Sequence, residues 1–153
     1  MEFFELIRTG NAGQVKQRLE EDPSLAEKRD EKGFPPLVLA GYNGNYEVTK
    51  TILNSGASVD ARDVADNTAL IGVSFKGYKD IAELLIVNGA NINAKNSQGA
   101  TALIYATMFE QEEIVKLLLD RGADRTLEDM KGSTAYHHAR MKGNEKLAEM
   151  VKI

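Results

Sequence analysis

Ile114-Val115-Lys116-Leu117-Leu118-Leu119-Asp120-Arg121-Gly122-Ala123 is the stretch on which the fold turns. Ile114, Leu117 and Leu118 fall on one stripe at helical spacing, with Glu113 and Lys116 on the other side, so the segment predicts a short amphipathic helix that ends at Gly122. Its closing Arg121-Gly122-Ala123 has counterparts in Asn88-Gly89-Ala90 and Ser55-Gly56-Ala57, with the same interval between successive copies. Other positions keep that step: Leu37, Leu70, Leu103 and Tyr136; Ala40, Val73, Ala106 and Ala139; Val48, Ile81, Ile114 and Leu147; Ile52, Leu85, Leu118 and Val151. The register runs unbroken from Gly33 to the end. A period of this size marks supersecondary units that bury their apolar faces by stacking.

Within one unit the pattern predicts two short helices and a turn. In Thr101-Ala102-Leu103-Ile104-Tyr105-Ala106 the threonine hydroxyl is placed to cap a helix whose apolar Leu103 and Ala106 are three residues apart. Gly44, Gly77 and Gly143 follow that helix where a left-handed residue stops it. The run Ala90 to Asn96 is too polar and Asn-rich for a helix interior and is expected to form an extended hairpin tip.

Gly99-Ala100-Thr101-Ala102-Leu103, Gly132-Ser133-Thr134-Ala135-Tyr136-His137 and the Ile114 to Ala123 stretch resemble the ankyrin repeat family. The resemblance covers essentially the whole chain. It implies an all-α solenoid of stacked helix-turn-helix units linked by β-hairpin-like loops. The expected organisation is a single domain over residues 1–153, with repeats near 1–32, 33–65, 66–98, 99–131 and 132–153. The outer two read as caps. Residues 1–32 keep Phe4, Ile7, Val15 and Leu19 in register but carry Arg18 and Glu20 where later repeats place apolar Leu84, Leu117, Leu53 or Ile86, and Lys152 takes the slot of Leu53, Ile86 and Leu119. Asp22-Pro23 replaces the Gly-Ala turn, with Asp22 as a helix cap and Pro23 in a first helical position.

Composition narrows the function. The 153 residues are 42% apolar and 27% charged, as in ordinary soluble proteins. The net charge, 19 − 23 = −4, offers no field suited to nucleic acid, so no nucleic-acid partner is expected. The absence of cysteine excludes disulfides, thiolate metal sites and cysteine nucleophiles. Met1-Glu2-Phe3-Phe4-Glu5 carries acids where a signal peptide needs bases. The longest apolar stretch, Phe34 to Tyr42, is about half of the ~20 residues a membrane span needs. A cytoplasmic protein without membrane contact is the expectation.

Catalytic chemistry finds few candidates. His137 and His138 are adjacent, so on a helix they point ~100° apart and cannot face one ion together. His137 falls on the family's histidine slot, which implies local hydrogen bonding, and His138 is expected to be an ordinary surface residue. Glu20-Glu21-Asp22 and Glu112-Glu113 read as solvated charge, and the glycines recur at the repeat period with no phosphate-binding loop among them. No enzyme activity, cofactor or metal is expected. The competing reading, a small-molecule or catalytic cleft, would draw on His138, Tyr105 and Glu110.

In the ankyrin pattern the two residues before the helix-ending glycine slot face a concave groove. Here these are Tyr42-Asn43, Phe75-Lys76, Met108-Phe109 and Met141-Lys142. The first of each pair is large and apolar, an aligned stripe of the kind that marks interaction sites, the alternative being side chains that fold back over the neighbouring helix pair and only pack. Hairpin-tip positions add Phe34, Val64, Asn67, Gln98, Met130 and Lys131. The expectation is a protein or peptide bound on the groove and tips, Lys76 and Lys142 favouring an acidic or mixed surface. The chain is expected to be a monomer in preference to a homo-oligomer; the alternative is a self-associating structural subunit using the same stripe. Glu110 breaks a local rule, standing in the slot of Gly44, Gly77 and Gly143, and there the turn is expected to relax into another shape, the alternative being strain retained for function. Asp66 in the slot of Gly33, Gly99 and Gly132 is milder, since Asp tolerates the left-handed region.

Overall fold

Thr68, Thr101 and Thr134 each accept, on the side-chain hydroxyl, the amide three residues ahead: Ile71 at 3.3 Å, Ile104 at 3.2 Å and His137 at 3.3 Å. These caps begin the first helix of three units, and Pro35-Pro36 begins that of another, proline being preset for a first helical turn. In the computed structural model, which describes residues 1–153, the result is five helix pairs and no strand. They are α1 (Phe3–Thr9) and α2 (Ala12–Glu21); α3 (Pro36–Tyr42) and α4 (Tyr46–Asn54); α5 (Ala69–Lys76) and α6 (Lys79–Val87); α7 (Ala102–Met108) and α8 (Glu112–Asp120); α9 (Ala135–Lys142) and α10 (Glu145–Val151). A 3-10 turn, Pro23–Glu27, follows α2, and Asp22 caps it by accepting the Ser24 amide at 3.2 Å.

The pairs stack into two layers. First helices pack in the order α1, α3, α5, α7, α9, and second helices in the order α2, α4, α6, α8, α10. The apolar positions that recur once per repeat fill the space between them, and 35 buried residues form one contiguous cluster. On α8 the predicted stripe is met: Ile114, Leu117 and Leu118 are buried while Glu113 and Lys116 are exposed. Fully burying a side chain of this size stabilises by about 1.5–3 kcal/mol, so each repeat draws most of its stability from its neighbours.

The loops between pairs share one device. Asp30, Asp63, Asn96 and Asp129 occupy the same position in successive units, and the Oδ1 of each accepts two backbone N–H groups from the tip that follows, at 2.9–3.0 Å. The tips themselves lie at residues such as Ser97-Gln98, so the run Ala90 to Asn96 is the arm that leads into a tip, turning at Asn91, and not the tip. Adjacent tips are stitched together by Ser97 N–H to the Ala65 carbonyl and Met130 N–H to the Gln98 carbonyl, each 3.0 Å. A second ladder runs beneath them. Glu27, Asp60 and Asn93 accept the amides of Ser58, Asn91 and Asp124 in the next unit at 2.7, 3.0 and 2.9 Å.

Glu110 corrects the expectation of a relaxed turn. It keeps the left-handed conformation at φ 56°, as Asp66 does at 62°. The slot is tight because a residue at the start of the next unit's second helix leans against it: a Cβ on Gly77 would lie 2.6 Å from Gln111 Oε1. At the equivalent place Asn144 instead donates its side-chain amide to Glu110 Oε1 at 3.1 Å, which makes room for a side chain without changing the backbone. A left-handed residue with a Cβ carries a penalty of ~1 kcal/mol. Glu110→Gly is therefore expected to raise the melting temperature by roughly 2–4 °C, read by a thermal circular-dichroism scan; a lower value would show that the Asn144 contact outweighs the backbone strain.

Candidate partner-binding surface

The first-helix layer and the hairpins together present one face. Along it Tyr42, Phe75 and Met108 are half-buried, while Met141, which has no following pair to lean on, is 74% exposed. Their neighbours Asn43, Lys76, Phe109 and Lys142 are exposed. At the tips Val64, Gln98, Met130 and Lys131 are exposed and Phe34 and Asn67 half-buried. The stripe is thus partly engaged with the protein itself. The Tyr42 ring meets the Phe34 ring edge-on at 6.0 Å, and Phe75 meets Phe109 at 4.4 Å and Tyr105 at 6.4 Å. Tyr42 and Phe75 are each half-buried against another ring, a geometry that preorganises aromatic surface at little rotamer cost.

Between the two ring groups lies a niche of about 130 Å³, lined by Tyr42, Asn67, Ile71, Phe75 and Tyr105. Its polar wall is a short network: Asn96 donates to Asn67 Oδ1 and to the Tyr105 hydroxyl, both at 2.9 Å, and Asn67 reaches the Asp63 carboxylate at 3.5 Å. Burial, then the Asp63 carboxylate, then Tyr105 push the Tyr42 hydroxyl above the usual tyrosine value. Asp63, Asn96 and Tyr105 do not belong to the expected binding set. The signal that finds them is the Asp/Asn that recurs once per repeat, which reads as turn chemistry until the second side-chain atom is followed to its partner.

His138 corrects a second expectation. It is buried, and its Nε2 lies 2.8 Å from Asp129 Oδ2, so it joins α9 to the hairpin before it. His137 acts locally: its Nδ1 accepts the Thr134 amide at 3.0 Å and completes a reciprocal cap. The candidates for a catalytic cleft do not come together: His138 pairs with Asp129, Glu110 with Asn144 and Tyr105 with Asn96, and of the three only Tyr105 lines the niche. No group of three His, Cys, Asp or Glu side chains is placed to hold a metal ion, and no helix is long and apolar enough to cross a membrane.

Comparison with known proteins bears on the repeat. A family model described as ankyrin repeats (3 copies) matches residues 69–152, and one described as ankyrin repeats (many copies) matches residues 37–86. A stretch of 60 residues is 42% identical to the serine/threonine-protein kinase VIK of Arabidopsis thaliana. That stretch is 39% of this chain and spans 14% of the relative's length.

The Asp129 pair has a consequence for stability. Burial pushes the Asp129 carboxyl up, but the His138 hydrogen bond, the Ser133 and Lys131 amides and the His138 charge together hold it below its ordinary value. A lowered folded-state value means stability that is present above the ordinary carboxylate range and lost as pH falls through the folded value. The stability difference between the wild type and Asp129→Asn is expected to shrink as pH falls from about 5 to about 2, measured by urea titration. His138→Ala, which strands Asp129 Oδ2 without its partner, is expected to cost about 1–3 kcal/mol at pH 7.

Proposed function

The chain belongs to the ankyrin repeat family, and on that premise we propose that it is a non-catalytic protein-binding module, acting as an adaptor, inhibitor or tether. Ankyrin repeats are generally protein–protein interaction modules. The observation that supports the reading here is the apolar stripe Tyr42, Phe75, Met108 and Met141, which keeps open surface in every one of these units on the hairpin side. Buried aromatic anchors supply most of the energy at such interfaces, and the surrounding polar positions set register. In this reading Phe34, Asn43, Val64, Asn67, Lys76 and Gln98 flank one half of the stripe, and Phe109, Met130, Lys131 and Lys142 the other. Residues 1–153 act as a single solenoid domain, monomeric, in the cytoplasm, with a protein or peptide as partner and neither nucleic acid nor membrane.

The kinase relative does not extend this reading to catalysis, because the shared stretch is 14% of that protein. The match is a match of repeats, and its support is for a binding surface alone.

Affinity capture from the native lysate tests the proposal. The wild-type chain is expected to retain a specific polypeptide, and the Tyr42→Ala, Phe75→Ala, Met108→Ala triple variant to lose at least nine-tenths of it. Because Phe75 also packs on Phe109, Phe109→Ser at an exposed position serves as a second variant, with melting curves to show that both remain folded. Equal retention by the wild type and both folded variants would overturn the proposal. Light scattering is expected to give one mass, that of the monomer, at two concentrations tenfold apart; a rising mass would favour self-association through the stripe.

A further inference from the structure

The four in-register Asp/Asn residues do the same work with one side-chain atom and different work with the other. Oδ1 closes the turn in each. The second atom of Asp30, its Oδ2, takes Arg8 Nη2 at 3.3 Å, and that of Asp129 takes His138 Nε2 at 2.8 Å. Asn96 carries no charge, and its Nδ2 is spent on Asn67 and Tyr105. Asp63 stands apart. Its residue is only 7% exposed, yet its Oδ2 forms no salt bridge and accepts a single hydrogen bond, from the Asn67 amide at 3.5 Å. A buried carboxylate is costly unless paired, and the two other acids in this register are paired.

The missing partner has a structural cause. The helix position that supplies Tyr105 to Asn96 and His138 to Asp129 is occupied in the preceding unit by Gly72. With no side chain there, the Tyr42 ring moves over the glycine, and a Cβ on Gly72 would lie 3.4 Å from it. The outcome is the niche described above: Tyr42, Phe75 and Tyr105 around its sides, Asn67 on its wall, and the Asp63 carboxylate behind Asn67 and close enough to act on the Tyr42 hydroxyl. Aromatic faces attract cations through their quadrupoles, and a carboxylate in a low-dielectric wall adds to that attraction.

We propose that this niche receives a basic side chain, arginine or lysine, projecting from the bound polypeptide, with its cation against the Tyr42, Phe75 and Tyr105 rings and Asp63 as counter-charge. The inference rests on the protein-binding reading and names the chemistry of its anchor. It also assigns the partner a mixed surface: a basic anchor at the niche, and acidic groups beside the exposed Lys76.

A direct test uses the full chain, labelled for NMR, and the peptide acetyl-Gly-Arg-Gly-amide, with the citrulline peptide as an uncharged isostere. The arginine peptide is expected to cause saturable shifts at the Asn67 and Asn96 side-chain amides and the Tyr42, Phe75 and Tyr105 ring protons, and the citrulline peptide to bind at least tenfold more weakly. Asp63→Asn retains the Oδ1 acceptor, as Asn96 does in the next unit, so it is expected to melt no lower than the wild type and to bind the arginine peptide at least fivefold more weakly. Equal binding of both peptides, no saturable shifts at the niche, or arginine binding untouched by Asp63→Asn would overturn the inference. The two readings fail separately. A lysate partner lost from the stripe variants but held equally by Asp63→Asn would leave the protein-binding reading standing and remove the basic anchor. Charge-selective, Asp63-dependent peptide binding without any retained polypeptide would uphold the cation niche and remove only the protein-binding reading.

Discussion

No helix pair in this molecule can bury its apolar face alone, and the contact between one pair and the next is the interaction on which the rest depends. Ala40, Val73, Ala106 and Ala139 recur at one position and are all fully buried. Their small side chains let successive first helices lie close, while Val48, Ile81, Ile114 and Leu147 fill the equivalent place in the second layer and are at most 3% exposed. Because every interface repeats the same geometry, a change at one position is felt by its two neighbours and little further. Loop chemistry follows from this constraint. Once the pairs are fixed at a common spacing, the tips are brought side by side, and backbone bonds such as Ser97 to Ala65 and Met130 to Gln98 form without ordering any further chain.

The elements that could be read from sequence are those set by local chemistry or by the repeat itself. Threonine caps, the stop at Gly122 and the stripe on α8 each rest on residues close together in the chain, and the structure holds them as the pattern implies. What stayed hidden depends on contacts between units. His138 looks like a surface residue because its neighbours in sequence are polar; its burial comes from Asp129, nine residues earlier and on another element. Glu110 looks incompatible with its slot because the compensation, an amide from Asn144, comes from the next pair. The stripe could be placed on a face but its half-burial could not, since that depends on ring contacts such as Phe75 with Phe109 and on Tyr42 crossing over Gly72.

The division of labour within the Asp/Asn side chains shows how such a scaffold carries function without loss of fold. Oδ1 is committed in all four, and the two amides it accepts leave no freedom for change. The second atom is left to meet what a first helix or a neighbouring tip offers it. In two units that offer is a side-chain nitrogen, of Arg8 or His138, and the carboxylate is thereby part of the fold. In another the acid is replaced by Asn96, and the charge is removed along with the need to pair it. Asp63 takes neither course: it keeps the charge opposite Gly72, where the fold supplies no partner. If closing the turn were its only task, asparagine would serve as well, as it does one unit later. The unpaired carboxylate and the missing side chain at Gly72 are departures from the repeat at one place, and together with the aromatic walls around the resulting space they make a cation from outside the chain more favourable there.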